Sequence, residues 1–307
     1  MGAANSKYPC IYCLIDSQHL HVTAPKQPRR IGEKGYSCVR DPIFKSIGTE
    51  NVVFDTLHMY LRITDRLLKK IIQMINELDL QEIGSVSRCY APEKMKRCAK
   101  MEDILKKAGV RGAPLAYDKD AKMVKCRDLR GPEKQKVEKV LDDIEKLVDS
   151  HAHGHVVVNA WRRFRVLYDD VRSFKKAEAM SPDRPAKLTK LRNDLVEWYD
   201  NLVDACTSKI ATPYMHLFVV HAADIIERLG SIHIFNAQGL EKLNDMTTTE
   251  YFRGTNHRRG VESLVQIMRR SNRRLYRAHK GIKLPRKSYK CGKCGKYAGH
   301  NSATCQM

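Results

Sequence analysis

The sequence predicts a mainly α-helical fold, and three observations support this prediction. Apolar residues recur at helical spacing from Leu57 to Ile75, where they would form the buried face of a long helix. Residues 132–150 are rich in Glu and Lys and begin with Pro132, a residue that favours the first turn of a helix. Gly230 follows another apolar helical segment, at the place where helices commonly end in glycine.

The other elements follow from the same signals. Residues 1–50 are predicted to be rich in loops, because Pro and Gly lie between basic residues there. A short strand is predicted at residues 52–54, and the long helix follows it to about residue 83. Residues 84–132 are mixed and contain glycine and proline breaks. The remaining predicted helices cover residues 132–150, 155–180, 181–210, 213–229, 238 onwards and 259–280.

Positive charge is the strongest compositional signal. The 307 residues have a formal net charge of +21, which favours a polyanionic partner, either nucleic acid or an anionic membrane surface. Residues 252–296 contain fifteen Arg or Lys and one acid, Glu262, with tyrosines among them that can stack on bases. A nuclear-localisation signal or a solvated basic face is the alternative. The residues expected to bind nucleic acid are Arg258, Arg259, Arg269, Arg270, Arg273, Arg274, Arg277, Lys283, Arg286 and Lys287.

Several protein classes are not favoured by the sequence. No run of eighteen apolar residues is present, so no transmembrane segment is expected, and the N-terminus lacks the order of a signal peptide. P-loop, GxSxG and dinucleotide-binding patterns are missing. The first six residues fit the myristoylation pattern at Gly2, which leaves a peripheral membrane protein with a basic patch as a further alternative.

The C-terminus contains a candidate zinc site. Its spacing is C-x2-C-x5-H-x4-C, and three thiolates with one imidazole suit tetrahedral zinc. So short a segment has no apolar core, and metal binding would supply its stability. The pattern resembles the CCHC zinc knuckle, with five residues before the histidine instead of the usual four. The predicted ligands are Cys291, Cys294, His300 and Cys305.

A second C-x2-C pair, Cys10 and Cys13, is half of another zinc site. One candidate pair of further ligands is distant in the sequence: His216 and His221, which form an H-x4-H pattern. On a regular helix a step of five residues turns about 140°, so these two rings would not share a face unless the helix were distorted. Spacing alone therefore favours the local candidates, which are His19, His21 and Cys38.

The surrounding sequence resembles the catalytic subunit of the V(D)J recombinase and its Transib transposase relatives. Residues 212–245 read TPYMHLFVVHAADIIERLGSIHIFNAQGLEKLND, and in that family an H-x4-H pattern, an IIERxGSI-like stretch and a catalytic glutamate occur in this order. The glutamate here is Glu241. Upstream, YPCIYC at residues 8–13 and DTLH at residues 55–58 are similar to family segments, and the order agrees over most of residues 8–275.

The resemblance implies a fold, a function and ligands. The fold is the C-terminal part of an RNase H-like DDE core with a large helical insertion, followed by the small zinc knuckle. The family is nuclear, binds DNA such as transposon terminal repeats, works as dimers, and nicks and transfers strands with Mg²⁺ or Mn²⁺. One zinc ion would be shared by Cys10, Cys13, His216 and His221, so that with the knuckle two zinc sites are expected.

The chain also departs from the family pattern. The family's Gly-Asn-Glu is Gly-Leu-Glu around Glu241. Two-metal catalysis requires three carboxylates, and the two aspartates of the family precede its C-x2-C segment, whereas nine residues precede Cys10 here. Asp16 and Asp55 match neither aspartate. We therefore expect a DNA-binding fragment that is catalytically incomplete, and the alternative is a non-catalytic zinc-knuckle adaptor for nucleic acid.

Five parts are predicted along the chain. The first contains the C-x2-C half-site and the long helix, the second is a helical insertion, and the third contains the H-x4-H pattern and the glutamate. A basic DNA-binding helix and the knuckle follow. Their ranges are 1–83, 84–211, 212–255, 256–290 and 291–307.

Overall fold

Helices form most of the structure, which confirms the predicted mainly α class. In the computed structural model the chain forms two compact units, Met1–Ala237 and Gln238–Met307. None of the described helices combines the length and the hydrophobicity that a membrane-spanning helix needs. The structure describes residues 7–24, 27–28, 52–84, 95–121, 123–233, 235, 238–254, 260–281, 289–290 and 297–298.

The long predicted helix is present as α1 (Thr56–Ile83). Asp55 caps its first turn, because the carboxylate accepts hydrogen bonds from the backbone N–H groups of Leu57 and His58. The helix ends at Gly84, whose φ of 73° is left-handed. The strand predicted at residues 52–54 is wrong, since the chain forms no strand there and instead leads directly into the cap.

A second helix and a small hairpin pack on α1. The helix is α2 (Lys96–Lys107), and the hairpin pairs β1 (Leu115–Asp118) with β2 (Met123–Cys126) in antiparallel register. The buried side chain of Asn76 joins α1 to β2. Its amide nitrogen donates to the Val124 carbonyl at 2.9 Å, and its amide oxygen accepts from the Val124 N–H at 2.8 Å.

The helix predicted over residues 132–150 is broken in two. The structure has α3 (Gly131–Glu138) and α4 (Leu141–Val148), and the break contains neither glycine nor proline. Two longer helices, α5 (Gly154–Ser173) and α6 (Arg184–Cys206), then pack against each other. Helix α5 begins one residue before its predicted start at 155 and ends before 180, and α6 lies inside its predicted range of 181–210.

Aromatic side chains of α5 and α6 form the centre of this unit. Phe164 of α5 and Trp198 of α6 lie 5.7 Å apart, measured between ring centroids. Both rings also contact Phe218 edge-on, at 5.3 and 5.9 Å. Because Phe218 lies in the segment that contains His216 and His221, the aromatic cluster fixes that segment against α5 and α6.

The segment with the two histidines is one helical rod of three parts. It consists of α7 (Pro213–His216), a π-helical turn (Leu217–His221) and α8 (Ala222–Leu229). The rod ends at Gly230 as predicted, with a φ of 79°.

The second unit contains a helical pair and a short hairpin. The helices are α9 (Gln238–Gly254) and α10 (Gly260–His279), which contact each other and agree with the predicted starts near 238 and 259. Strands β3 (Tyr289–Lys290) and β4 (Tyr297–Ala298) pair in antiparallel register.

Candidate metal centre

Two cysteines near the N-terminus and two distant histidines converge in the first unit. One ligand atom from each of Cys10, Cys13, His216 and His221 lies within 4.8 Å of all the others. Cys10 Sγ is 3.4 Å from His221 Nε2, and Cys13 Sγ is 3.2 Å from His216 Nε2. The two sulfurs and His216 are buried, and His221 is half-buried. These four residues can hold a metal ion.

The separations suit tetrahedral coordination. Bond lengths of about 2.3 Å to sulfur and 2.0 Å to nitrogen place the two atoms about 3.5 Å apart around one tetrahedral zinc ion. The two sulfur–nitrogen distances of 3.2 and 3.4 Å are close to that value. The donor set is also chemically suitable, because thiolates and imidazoles favour soft and borderline metal ions.

The C-x2-C segment is a turn held by backbone hydrogen bonds. The N–H of Tyr12 donates to Cys10 Sγ at 3.3 Å, which directs the sulfur inward. The N–H of Leu14 donates to the Gln27 carbonyl at 2.9 Å, next to a β-bridge between Cys13 and Pro28. The Tyr12 hydroxyl donates to the Val52 carbonyl at 2.7 Å, and so the turn is tied to the approach of α1.

The π-helical turn brings the two histidines together. In a π-helix the hydrogen bonds join residues five apart, so residues with this separation lie one turn apart along the same face. An α-helix would separate His216 and His221 by about 140°. The turn Leu217–His221 removes this obstacle, and π-helical turns are often found at functional sites.

Electrostatics favours the metal-binding form of the first ligand. Hydrogen bonding with Cys13, and then with His216 and His221, holds the pKa of the Cys10 thiol far below its usual range, although burial opposes this effect. The thiolate is the form of cysteine that binds metals. Burial raises the pKa of the neighbouring Tyr12 hydroxyl to about 12, so this ring stays neutral beside His221, 5.1 Å away.

The nearby histidines, which are the local candidates for partners of Cys10 and Cys13, do not join this site. His19 is exposed, and its Nδ1 is 2.7 Å from Asp16 Oδ2. The ring of His21 stacks on that of His19, with centroids 6.2 Å apart. Neither histidine joins the group of four, and Cys38 lies outside the described residues.

The predicted C-terminal sites are described in part. Four arginines of α10 fall within about 100° of its circumference, at positions 269, 270, 273 and 277. Arg274 also lies on α10, and Glu241 lies on α9. The predicted residues outside the described part of the chain are Cys291, Cys294, His300, Cys305, Arg258, Arg259, Lys283, Arg286 and Lys287.

Two features of the centre were missed by sequence reasoning. The π-helical turn has no sequence signature, although the five-residue histidine spacing was a signal that a regular helix would not explain. Tyr12 was also missed, although it lies inside the C-x2-C motif. No protein-family model matches the chain, and no match was found among curated proteins.

Proposed function

We propose that this chain is a DNA-binding, zinc-containing part of a DDE-type transposase or recombinase, similar to the V(D)J recombinase catalytic subunit and its Transib relatives. The observation that carries the proposal is the convergence of Cys10 and Cys13 with His216 and His221. The paired residues are 211 and 203 positions apart in the sequence. The resemblance implies this grouping, whereas motif spacing alone favours local partners.

Zinc is the proposed ion. Two thiolates and two imidazoles provide four protein ligands, which is the arrangement of structural zinc sites, whereas catalytic sites keep a position open. When bound, zinc would join the N-terminal turn to the rod that contains the two histidines, and so stabilise the unit. The knuckle at Cys291, Cys294, His300 and Cys305 is proposed as a second zinc site.

DNA binding is assigned to the basic C-terminal region. Four of the five arginines of α10 share one face, where they can neutralise successive phosphates. A nuclear location, transposon terminal repeats as the DNA and a homodimer as the active form belong to the same proposal. They rest on the family resemblance together with the charge.

Strand cleavage is not proposed for the chain itself. Two-metal chemistry with Mg²⁺ or Mn²⁺ requires three carboxylates, and the resemblance assigns one of them, Glu241, within these residues. A nicking assay with supercoiled plasmid and either metal is expected to show no cleavage. Metal-dependent nicking that Glu241→Gln abolishes would contradict this expectation.

DNA binding is tested with the whole chain and a labelled duplex. Fluorescence anisotropy over a range of NaCl concentrations gives the slope of log affinity against log salt. Replacing Arg269, Arg273 and Arg277 by Gln should reduce the magnitude of that slope by about three, one for each lost phosphate contact. An unchanged slope would overturn the assignment of DNA binding to α10.

The second candidate is a zinc-knuckle adaptor that binds nucleic acid without a transposase core. The observation in its favour is that the basic helix lies in a unit of its own, Gln238–Met307. The gene sequence upstream of the Met1 codon distinguishes the two candidates. An open reading frame with two strand-borne aspartates supports the transposase, and a promoter or stop codon there supports the adaptor.

A further inference from the structure

A cleft in the first unit is lined by basic side chains. It lies where α1 meets the turn that follows α6, has a volume of about 290 Å³, and is called the α1 cleft below. No acidic residue is among the described residues that line it. The lining cations are Arg66, Lys69, Lys70 and Lys209.

Most of this positive charge is not neutralised. The guanidinium of Arg66 donates to the backbone carbonyls of Lys209 and Ile210, which are neutral acceptors. Lys70 and Lys209 have no ion pair within the described part of the chain. Lys69 is 3.3 Å from Asp128, a pair exposed on both sides and therefore weak. A cleft lined by one sign of charge focuses its field and attracts ions of the opposite sign.

The wall of the α1 cleft is held in position. The bonds from Arg66 fix the short turn Ser208–Ile210 against α1. Thr207 on the same wall has a φ of 65°, the one non-glycine residue with positive φ in the described chain. Backbone in this region is strained for a β-branched residue, and such strain tends to cluster at ligand sites.

The basic surface extends beyond the α1 cleft. A second cleft, of about 400 Å³, shares Lys69 and Gln73 with it and adds Lys125, which pairs with Asp118 at 2.7 Å. Arg62 lies two turns before Lys70 on α1, so that the basic stripe is about 12 Å long. A stripe of this length suits a polymer of phosphates better than a single small anion.

The net charge of the first unit also favours a polyanionic ligand. Residues 1–237 contain forty Lys or Arg and thirty-one Asp or Glu, so the first unit is cationic by itself. Residues 238–307, which we call the basic tail, contain sixteen basic and four acidic residues. A polyanion that is attracted by the basic tail would therefore also be attracted by the first unit.

We propose that the α1 cleft binds the phosphate backbone of DNA, as a second contact separate from the basic tail. The proposal rests on the proposed function insofar as it takes DNA as the polymer. Lys70 and Lys209 would contact phosphate oxygens directly, while Arg66 holds the turn. Such contacts are independent of base sequence.

Paired charge removal tests the proposal. We expect the double variant Lys70→Gln, Lys209→Gln to bind a labelled duplex roughly tenfold more weakly and to reduce the magnitude of the salt slope by about two. The matched control is Lys100→Gln, Lys107→Gln, which removes equal charge from a cleft that also contains Asp103 and Asp143. Equal effects of the two double variants would overturn the proposal, because net charge alone would then explain them.

Lysine labelling locates the contact without a substitution. With the wild-type chain, duplex DNA should protect Lys70 and Lys209 from acetylation, read by mass spectrometry, and leave Lys100 and Lys107 reactive. Protection by millimolar inorganic phosphate at matched ionic strength would instead indicate a small-anion site and overturn the DNA assignment. Equal reactivity of all four lysines with and without DNA would also overturn it.

The outcomes separate this proposal from the proposed function. If the arginine variant of α10 lowers the slope while the lysine variant matches its control, the α1 cleft fails and the proposed function stands. If the lysine variant has an effect and the arginine variant has none, the α1 cleft stands and the α10 assignment fails. If the wild-type chain does not bind DNA, both fail.

Discussion

The ring centroids of His216 and His221 lie 5.2 Å apart, with an interplanar angle of 73°, although the two residues are five positions apart in the sequence. The π-helical turn between them supplies the extra residue per turn that this spacing needs. Both Nε2 atoms therefore face the sulfurs of Cys10 and Cys13.

Removing one residue from the turn tests this geometry. Deleting Val220 leaves the histidines four apart, which places both on one face of an ordinary α-helix, so metal binding should be retained. Inserting one alanine after Val220 leaves them six apart, about 240° around an α-helix, and should abolish binding at this site. Metal analysis of both variants, with circular dichroism to confirm folding, checks the prediction. A folded deletion variant without metal would show that the π-helical turn itself is required.

A buried arginine stabilises the end of α8. Arg184, 6% exposed, donates hydrogen bonds to the carbonyls of Ile226 and Gly230 at 3.0 and 2.8 Å. Replacing it by methionine should lower the free energy of unfolding by about 1–3 kcal/mol, because buried carbonyl groups lose their donors. Urea denaturation measures the change.

Arg192 is the matched control, since it also joins α6 to α8 but through exposed ion pairs with Asp224 and Glu227. Arg192→Gln should cost less than about 1 kcal/mol. Equal losses in the two variants would contradict the role given to Arg184.

Gly154 begins α5 where no side chain fits. A Cβ atom there would lie 1.9 Å from the backbone oxygen of Val148. Gly154→Ala should lower the free energy of unfolding by about 1–3 kcal/mol, as overpacking does. Gly131 begins α3, and a Cβ there would meet the Leu61 side chain at an ordinary 3.5 Å, so that Gly131→Ala should be tolerated. Thermal denaturation compares the melting temperatures of the two variants, and equal values would contradict the prediction.

Glu133 should make stability depend on pH. Hydrogen bonds from Arg127 lower the pKa of this carboxyl to about 2, below its ordinary value near 4.5. A lowered folded-state pKa contributes stability that is fully present above about pH 4.5 and is lost as the pH falls towards 2. Glu133→Gln should therefore cost about 1 kcal/mol at pH 7, and this difference should disappear near pH 2. Urea titrations at several pH values measure it, with exposed Glu178→Gln as the control. If the difference in unfolding free energy between the wild-type chain and Glu133→Gln does not change with pH, the prediction is wrong.

The sequence was informative where structure depends on local pattern. The apolar period of α1, the glycine after α8 and the C-x2-C pair could all be read from neighbouring residues. The break between α3 and α4 could not, because no glycine or proline marks Lys139 and Val140, although the backbone of Val140 leaves the helical region with φ of −116° and ψ of 18°.

The ligand set of the metal centre could not be predicted from local sequence pattern either. Spacing cannot identify partners some 200 residues away, and regular helix geometry argued against the histidine pair. Only the resemblance implied the grouping found. Likewise, the α1 cleft joins lysines from α1 and from the turn after α6, and no local pattern relates them.

The zinc content of the chain shows whether the two distant histidines are metal ligands. Elemental analysis of the purified chain should find two zinc ions per chain, one in the knuckle and one at Cys10, Cys13, His216 and His221. The double variant His216→Ala, His221→Ala should contain one zinc ion and unfold at lower denaturant concentration, since a ligand that binds only the folded state adds stability. If that variant, still folded, keeps both ions, His216 and His221 are not zinc ligands and the proposed four-residue zinc site is wrong.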